Sequence, residues 1–194
     1  MADLRIIDIG TTTTTIAADD YIAIDGVTNG TRNILWDSAK PNQAAGAMYV
    51  TTPAATTPGD TTNYFKVAGT TSLNSTESVV NNLDMPANNR LRYTGTETIH
   101  AHIAVTISVT TANSNQVLEF RVYKYDDSDA TGATLVHSNV AQKNGSGTDV
   151  TSTALHADCV MDTNDYLELH VKNGTSTGNV TVDDLYFHVM GIKI

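Results

Sequence analysis

The chain has 194 residues, of which 40% are hydrophobic, 6% aromatic and 16% charged, with a single cysteine and a formal net charge of -10. A charged fraction below the roughly 25% usual in soluble domains, with Thr, Asn and Ser in its place, favours strands and turns and excludes an all-helical protein. The acidic balance repels phosphate backbones and anionic bilayers, so no nucleic acid and no membrane is expected as a partner, and Cys159 has no second cysteine with which to form an intrachain disulfide.

No apolar run approaches the ~20 residues that span a bilayer. The opening Met1-Ala2-Asp3-Leu4-Arg5 lacks the apolar centre of a secretory signal, so synthesis in a cytoplasm is expected. Residues 1–36 carry short apolar stretches, Leu4 to Ile9 and Tyr21 to Val27, broken by Thr11 to Thr15, Asp19-Asp20 and the turn Thr28-Asn29-Gly30. Each is too short to bury a core, so this segment is expected to act as an arm against a partner surface. Residues 37–62 hold Pro53 and Pro58 among Thr and Ala, with a brief apolar patch from Ala47 to Val50. They read as an extended linker reaching at most about 90 Å.

Residues 63–194 read as strand after strand. Ile99, Ala101, Ile103, Val105, Ile107 and Val109 alternate with Thr98, His100, His102, Thr106 and Ser108, the period of a strand with one buried face. The same alternation places Leu118, Phe120 and Val122 opposite Glu119, Arg121 and Tyr123, and Leu167, Leu169 and Val171 opposite Tyr166, Glu168, His170 and Lys172. Leu185, Phe187 and Val189 form the last inward set, which puts the end of the chain inside a sheet. Turn signals lie between these runs, at Asn88-Asn89, Thr94-Gly95, Asn113 to Asn115, Asp126 to Gly132, Asn144 to Gly147 and Asn173-Gly174. Without crossover helices, the expected fold is an all-β antiparallel jelly-roll sandwich.

Chemistry-bearing residues are sparse. His100 and His102 share a strand face roughly 6 to 7 Å apart and are weak metal candidates, with His170 or His188 as a third donor. Asp126, Asp127 and Asp129 are a weak cation candidate that lacks the full Asp-x-Asp-x-Asp-Gly loop, and Asp in hairpin turns more simply bonds its own backbone. Asp183-Asp184 reads as a bulge or the edge of the last strand. Cys159 reads as a small buried hydrophobe without an acid–base partner. The Asn-x-Ser/Thr triplets at Asn29, Asn74, Asn144, Asn173 and Asn179 read as turn chemistry. No nucleophile elbow, phosphate loop or dinucleotide fingerprint is present, so no catalytic residue and no cofactor is assigned and the chain is not expected to be an enzyme. Tyr123, Tyr125, Tyr166, Tyr186 and His188 point outward from their strands, either as a sugar platform or, the favoured reading, as a seam between subunits.

Two stretches resemble proteins of tailed-phage virions. Residues 6–34, with Asp19-Asp20-Tyr21-Ile22-Ala23-Ile24-Asp25-Gly26 and Gly30-Thr31-Arg32, are similar to an N-terminal segment of phage structural and fibre proteins. That resemblance implies attachment to the particle through Leu4, Ile6, Ile7, Ile9, Tyr21, Ile22, Ile24, Ile34 and Trp36. Residues 65–73, followed by Pro86-Ala87-Asn88-Asn89-Arg90-Leu91-Arg92-Tyr93-Thr94-Gly95, resemble the start of phage knob domains built as tumour-necrosis-factor-like jelly rolls. This implies a homotrimer. The absence of a long shaft favours a capsid-decorating cement or head-fibre protein on the outer surface of the virion, docked on the major capsid protein or another virion protein. The alternative is a tail-fibre or head-displayed adhesin that recognises a host-surface glycan.

Overall fold

The alternation at residues 99–109 is realised as a long strand whose inward side chains, from Ile99 to Val109, are all buried. The computed structural model describes residues 21–26, 30–35, 43–76, 80–146 and 149–194. The chain divides into two units, Met1–Pro41 and Asn42–Ile194.

In the first unit, β1 (Tyr21–Gly26) and β2 (Gly30–Leu35) form an antiparallel pair with Ile22 opposite Ile34 and Asp25 opposite Thr31. Tyr21, Ile22, Ile24 and Ile34 of the expected anchoring set lie on this hairpin, whereas Leu4, Ile6, Ile7, Ile9 and Trp36 lie outside the described residues.

The second unit is a two-sheet antiparallel sandwich. Its strands are β3 (Gln43–Pro53), β4 (Ala55–Thr56), β5 (Phe65–Lys66), β6 (Gly69–Leu73), β7 (Leu83–Ala87), β8 (Arg90–Tyr93), β9 (Ile99–Thr111) and β10 (Gln116–Asp126), then β11 (Thr131–Thr134), β12 (Val140–Asn144), β13 (Thr151–Met161), β14 (Tyr166–Asn173) and β15 (Val180–Lys193). One sheet has seven strands in the order β11-β10-β14-β8-β7, with β12 also on β10 and β5 also on β14. The other has six, in the order β13-β9-β15-β3-β6, with β4 also on β15. The last strand is therefore central, between β9 and β3, as its apolar alternation implies. Between the sheets lies one core, including Met48, Leu91, Tyr93, Ile103, Phe120, Leu169 and Phe187, all fully buried. This is the jelly roll expected from the strand pattern.

The linker expectation is corrected in part. Residues 43–53 are not spacer but β3, paired with β15 from Ile192–Gln43 to Tyr186–Tyr49 and with β6 on its other edge. Their inward positions are Ala44, Gly46 and Met48. Ala44 and Gly46 give a weak hydrophobic signal in sequence, and an added Cβ at Gly46 would come within 3.1 Å of Leu83 Cδ1, which would have to give way. The boundary between the units accordingly falls after Pro41. Thr56, in the expected linker, is buried and accepts a hydrogen bond from the Ala68 N–H at 2.9 Å through its hydroxyl.

The bulge expectation holds: the β15–β9 register shifts between Val182 and Asp184, inside β15 and not at its start. Strand β13 carries a short periodic signal: its buried residues Leu155, Ala157 and Met161 alternate with His156, Asp158 and Val160, and residues 151–154 before them are Thr, Ser, Thr and Ala.

Candidate functional site

The two outer faces of the sandwich differ in chemistry. On the seven-stranded sheet, β10 and β14 pair so that Tyr125 faces Tyr166, Tyr123 faces Glu168 and Arg121 faces His170. Tyr125 and Tyr166 stack with ring centroids 4.6 Å apart, and Tyr123 stacks on His170 at 4.5 Å with the planes 5° from parallel. The Arg90 guanidinium sits 3.8 Å from the Tyr166 ring centroid. At Gly132 an added Cβ would lie 2.0 Å from the Tyr123 hydroxyl, so the glycine leaves the space this tyrosine occupies.

Opposite Tyr123 stands Glu168, whose side chain is only 5% exposed. It accepts hydrogen bonds from Lys66 Nζ at 2.7 Å, Arg90 Nε at 2.8 Å and His170 Nε2 at 3.1 Å. Burial alone would raise its pKa, but these three donors outweigh the loss of water and hold it down to about 2. Glu119 is held by Lys172 and by the Tyr64 hydroxyl, and Arg92 grips Asp84 through two nitrogens. The charges and rings of this face thus satisfy one another.

The outer face of the six-stranded sheet is different. Its outward residues include Tyr49 on β3, His100, His102, Thr106 and Ser108 on β9, and Ser152, His156, Asp158 and Val160 on β13. Strand β15 adds Asp184, Tyr186, His188, Met190 and Ile192. Tyr49, Val160, Tyr186, Met190 and Ile192 are large apolar side chains left exposed, Met190 and Ile192 by more than half. Along the outward positions of β9, β13 and β15 the charged residues are Asp158 and Asp184. Tyr49 and Tyr186, directly opposed across the β3–β15 ladder, border an open depression of about 520 Å³ with Thr106, Ser108, Ser152 and Asp184.

The five candidate seam residues therefore do not lie together. Tyr123, Tyr125 and Tyr166 belong to the seven-stranded face, and Tyr186 and His188 to the six-stranded face. A periodicity of two tells which side chains point outward but not which sheet a strand joins. Tyr49 escapes a reading of the sequence because it falls in the expected linker, although the Ala47 to Val50 patch around it is a usable signal.

The histidine expectation is also redistributed. His100 and His102 share the six-stranded face, but His170 lies on the other sheet, bonded to Glu168 and stacked on Tyr123, and so is no third donor for them. His188 is next to them on β15, opposite Ala104. Among the described residues, no group of three or more His, Cys, Asp or Glu is placed to hold a metal ion.

The acidic turn has local work. Asp126 Oδ1 accepts from the Ser128 hydroxyl at 2.7 Å and from the Ser128 and Asp129 N–H groups, which lowers its pKa. The Asp127 N–H donates at 2.9 Å to the buried Asp165 carboxylate, which also pairs with Lys124. Cys159 packs against the core, and burial pushes its thiol up to about 12, where it is not a nucleophile. Asn173 makes an Asx turn, accepting from the Thr175 and Ser176 N–H groups, and is itself buried.

The motif at residues 86–95 is structural. Asn89 has a positive φ of 51° and is buried, Arg90 joins Glu168, Leu91 and Tyr93 enter the core, and Gly95 clears space for the Tyr93 ring. The Tyr93 hydroxyl donates to the Glu97 carbonyl at 2.7 Å.

No family model matches the chain, and no curated protein matches it in sequence. Among solved structures it is similar to an Eiger TNF from S. frugiperda, with 11% identity over 80% of this chain and 94% of that one, at a TM-score of 0.50. At that identity the likeness concerns the fold, and with the sheet order above it makes the second unit a tumour-necrosis-factor-like jelly roll.

Proposed function

We propose that the chain is a non-enzymatic structural protein of a phage particle, a homotrimer whose jelly rolls associate through the six-stranded face and whose first unit attaches them to the outer shell. The observation that carries the reading is the contrast between the faces. One sheet satisfies its own charges and rings, while the other exposes Tyr49, Tyr186, Met190 and Ile192 with few charges. Depletion of charge with enrichment of Tyr and Met is the composition of an interface core. Folds of the tumour-necrosis-factor type commonly form homotrimers, which supplies the stoichiometry. The virion assignment rests on the resemblance of residues 6–34 and 86–95 to phage structural proteins. The separate first unit suits an attachment role. A trimer that binds the assembled shell and not its free subunits would oppose disassembly by its binding free energy.

The sugar-platform alternative gains no support from the tyrosines on the seven-stranded face. Tyr166 is in contact with both Tyr125 and Arg90, and Tyr123 is stacked on His170, so these ring faces are already engaged.

Sedimentation equilibrium of the full chain tests the first half of the reading. A mass three times the 20.7 kDa of the chain is expected, falling to the monomer in the double variant Tyr186→Arg, Met190→Asp with its far-UV spectrum unchanged; a monomeric wild type would sink it. Adding the protein to capsids stripped of their decoration tests the second. Rebinding by the full chain, and none by a folded chain lacking residues 1–36, is expected, and failure of the full chain to bind would overturn the virion assignment.

A further inference from the structure

Two imidazoles meet on the six-stranded face because of the β9–β13 register. His102 is directly opposite Asp158, and His156, two residues before Asp158 on the same strand, is its diagonal neighbour. His102 Nδ1 lies 2.9 Å from Asp158 Oδ1. A carboxylate there accepts the Nδ1 proton and so leaves the lone pair on Nε2. That Nε2 lies 3.4 Å from His156 Nδ1, with the ring centroids 5.5 Å apart. Rings whose nitrogens are this close while their centroids are this far apart meet edge to edge. The His102 and Asp158 side chains are each about half exposed, at 50% and 54%, so the rings can turn within the broad second torsion of histidine.

The spacing is within the reach of two donors on one ion. Two nitrogens bound at about 2.05 Å to one tetrahedral ion lie about 3.3 Å apart, whereas adjacent square-planar positions would bring them to about 2.9 Å. We infer that His102 Nε2 and His156 Nδ1 chelate a divalent ion of the zinc type, with Asp158 fixing the orientation of His102 from behind. The contact without metal is an N–H···N pair. Chelation moves the His156 proton from Nδ1 to Nε2, with no net release from the neutral rings.

Because no third protein donor is placed at this point among the described residues, water fills the remaining positions and the site is an open chelate. It differs from the expected pair: His100 and His102 share a strand face, but the nitrogen that faces His102 Nε2 belongs to His156, across the β9–β13 ladder. The proposed donors come from a single chain but lie on the six-stranded face through which the chains are proposed to associate, so the titration is made on the wild type and on the Tyr186→Arg, Met190→Asp chain alike, and the same ion per chain is expected in both.

Cobalt(II) titration of the full chain, with zinc competition followed by calorimetry, tests the proposal. The expected result is one ion per chain, with saturable uptake of cobalt that zinc displaces. Affinity should fall at least tenfold in both His102→Gln and His156→Gln, fall less in Asp158→Asn, and stay unchanged in His170→Gln, which lies on the other sheet. Thermal unfolding of each variant without metal separates loss of the site from loss of the fold. No saturable uptake of cobalt or zinc by the folded wild type, or wild-type affinity retained in a folded His156→Gln, would overturn it.

Discussion

The Asn89 carboxamide takes the place of a missing strand residue beside Leu169. Strand β14 has β5 along one part of its edge and β8 along another, and Leu169 lies between the two paired segments. There the Asn89 side chain accepts from the Leu169 N–H at 3.3 Å and donates to the Leu169 and Val67 carbonyls at 2.9 and 3.1 Å. Val67 N–H completes the bridge by donating to the Leu169 carbonyl at 3.0 Å. A side chain thus continues the ladder across the gap, from a backbone at φ 51° that Asn tolerates better than most residues.

Asn89→Ala should therefore destabilise the fold by about 3 kcal/mol, since it removes hydrogen bonds from buried backbone groups and leaves a Cβ residue at positive φ. Asn89→Gly keeps the backbone freedom but not the bonds, and should recover about 1 kcal/mol of that loss. Urea unfolding of the two variants measures the difference. Equal stability of the Asn89→Ala variant and the wild-type protein would mean that the carboxamide is not needed to bridge the gap.

Glu168 gives the fold a dependence on acid. Its pKa is depressed from 4.5 to about 2 in the folded chain, so the unfolded chain binds the proton more readily. The stabilisation is complete above pH 4.5 and is lost as the pH falls from there towards 2. It amounts to about 3 kcal/mol at most, since each tenfold difference in proton affinity between the folded and unfolded chains is worth about 1.4 kcal/mol. In urea titrations between pH 6 and pH 2.5, wild type should lose stability faster than Glu168→Gln. Parallel curves for the two would show that the carboxylate charge contributes nothing to the fold.

How much of this is legible in the sequence depends on the size of the inward side chains. Strand β9 declares itself because Ile and Val alternate with His, Thr and Ser, and the same holds for the inward residues of β10, β14 and β15. Strand β3 does not, because its inward residues are Ala44, Gly46 and Met48, and β13 does not, because only Leu155 and Met161 are large among its buried residues. The faces are legible one strand at a time. Which outward residues become neighbours depends on sheet order and register, and these rest on contacts distant in sequence. Tyr123 and Tyr186 therefore share a pattern in sequence and separate in space, while His102 meets His156, a residue 54 positions away, and not His100.

Gly191 tests the packing of β15 against the start of β9. A Cβ there would lie 2.5 Å from Ile99 Cδ1 and 3.4 Å from Ala44 Cβ, so Gly191→Ala overpacks a site where Ile99 is fully buried. A cost of about 1 to 3 kcal/mol is expected. Ile99→Val removes the clashing carbon and by itself costs about 1 kcal/mol. The double variant should be more stable than the sum of the two losses predicts, because each change relieves the other. Simple additivity in thermal unfolding would place the clash elsewhere.

The outward tyrosines of the two sheets should respond differently to truncation. Tyr166 is stacked on Tyr125 at 4.6 Å and lies under Arg90 at 3.8 Å, all within one chain. Each such contact contributes about 0.5 to 1.5 kcal/mol, so Tyr166→Ala should cost the fold about 1 to 2 kcal/mol of stability and leave the sedimenting mass unchanged. Tyr186, exposed beside Tyr49, makes no comparable stack within its sheet beyond a distant one with His188 at 6.3 Å. If the chains associate through this face as proposed, its replacement by Arg should do the reverse: the fold of each chain persists while the assembly dissociates, because a charge placed in an apolar contact must be desolvated. Unfolding at low protein concentration reports the first effect and sedimentation at high concentration the second. If Tyr166→Ala dissociated the assembly and Tyr186→Arg left it intact, the contact face would be the seven-stranded sheet.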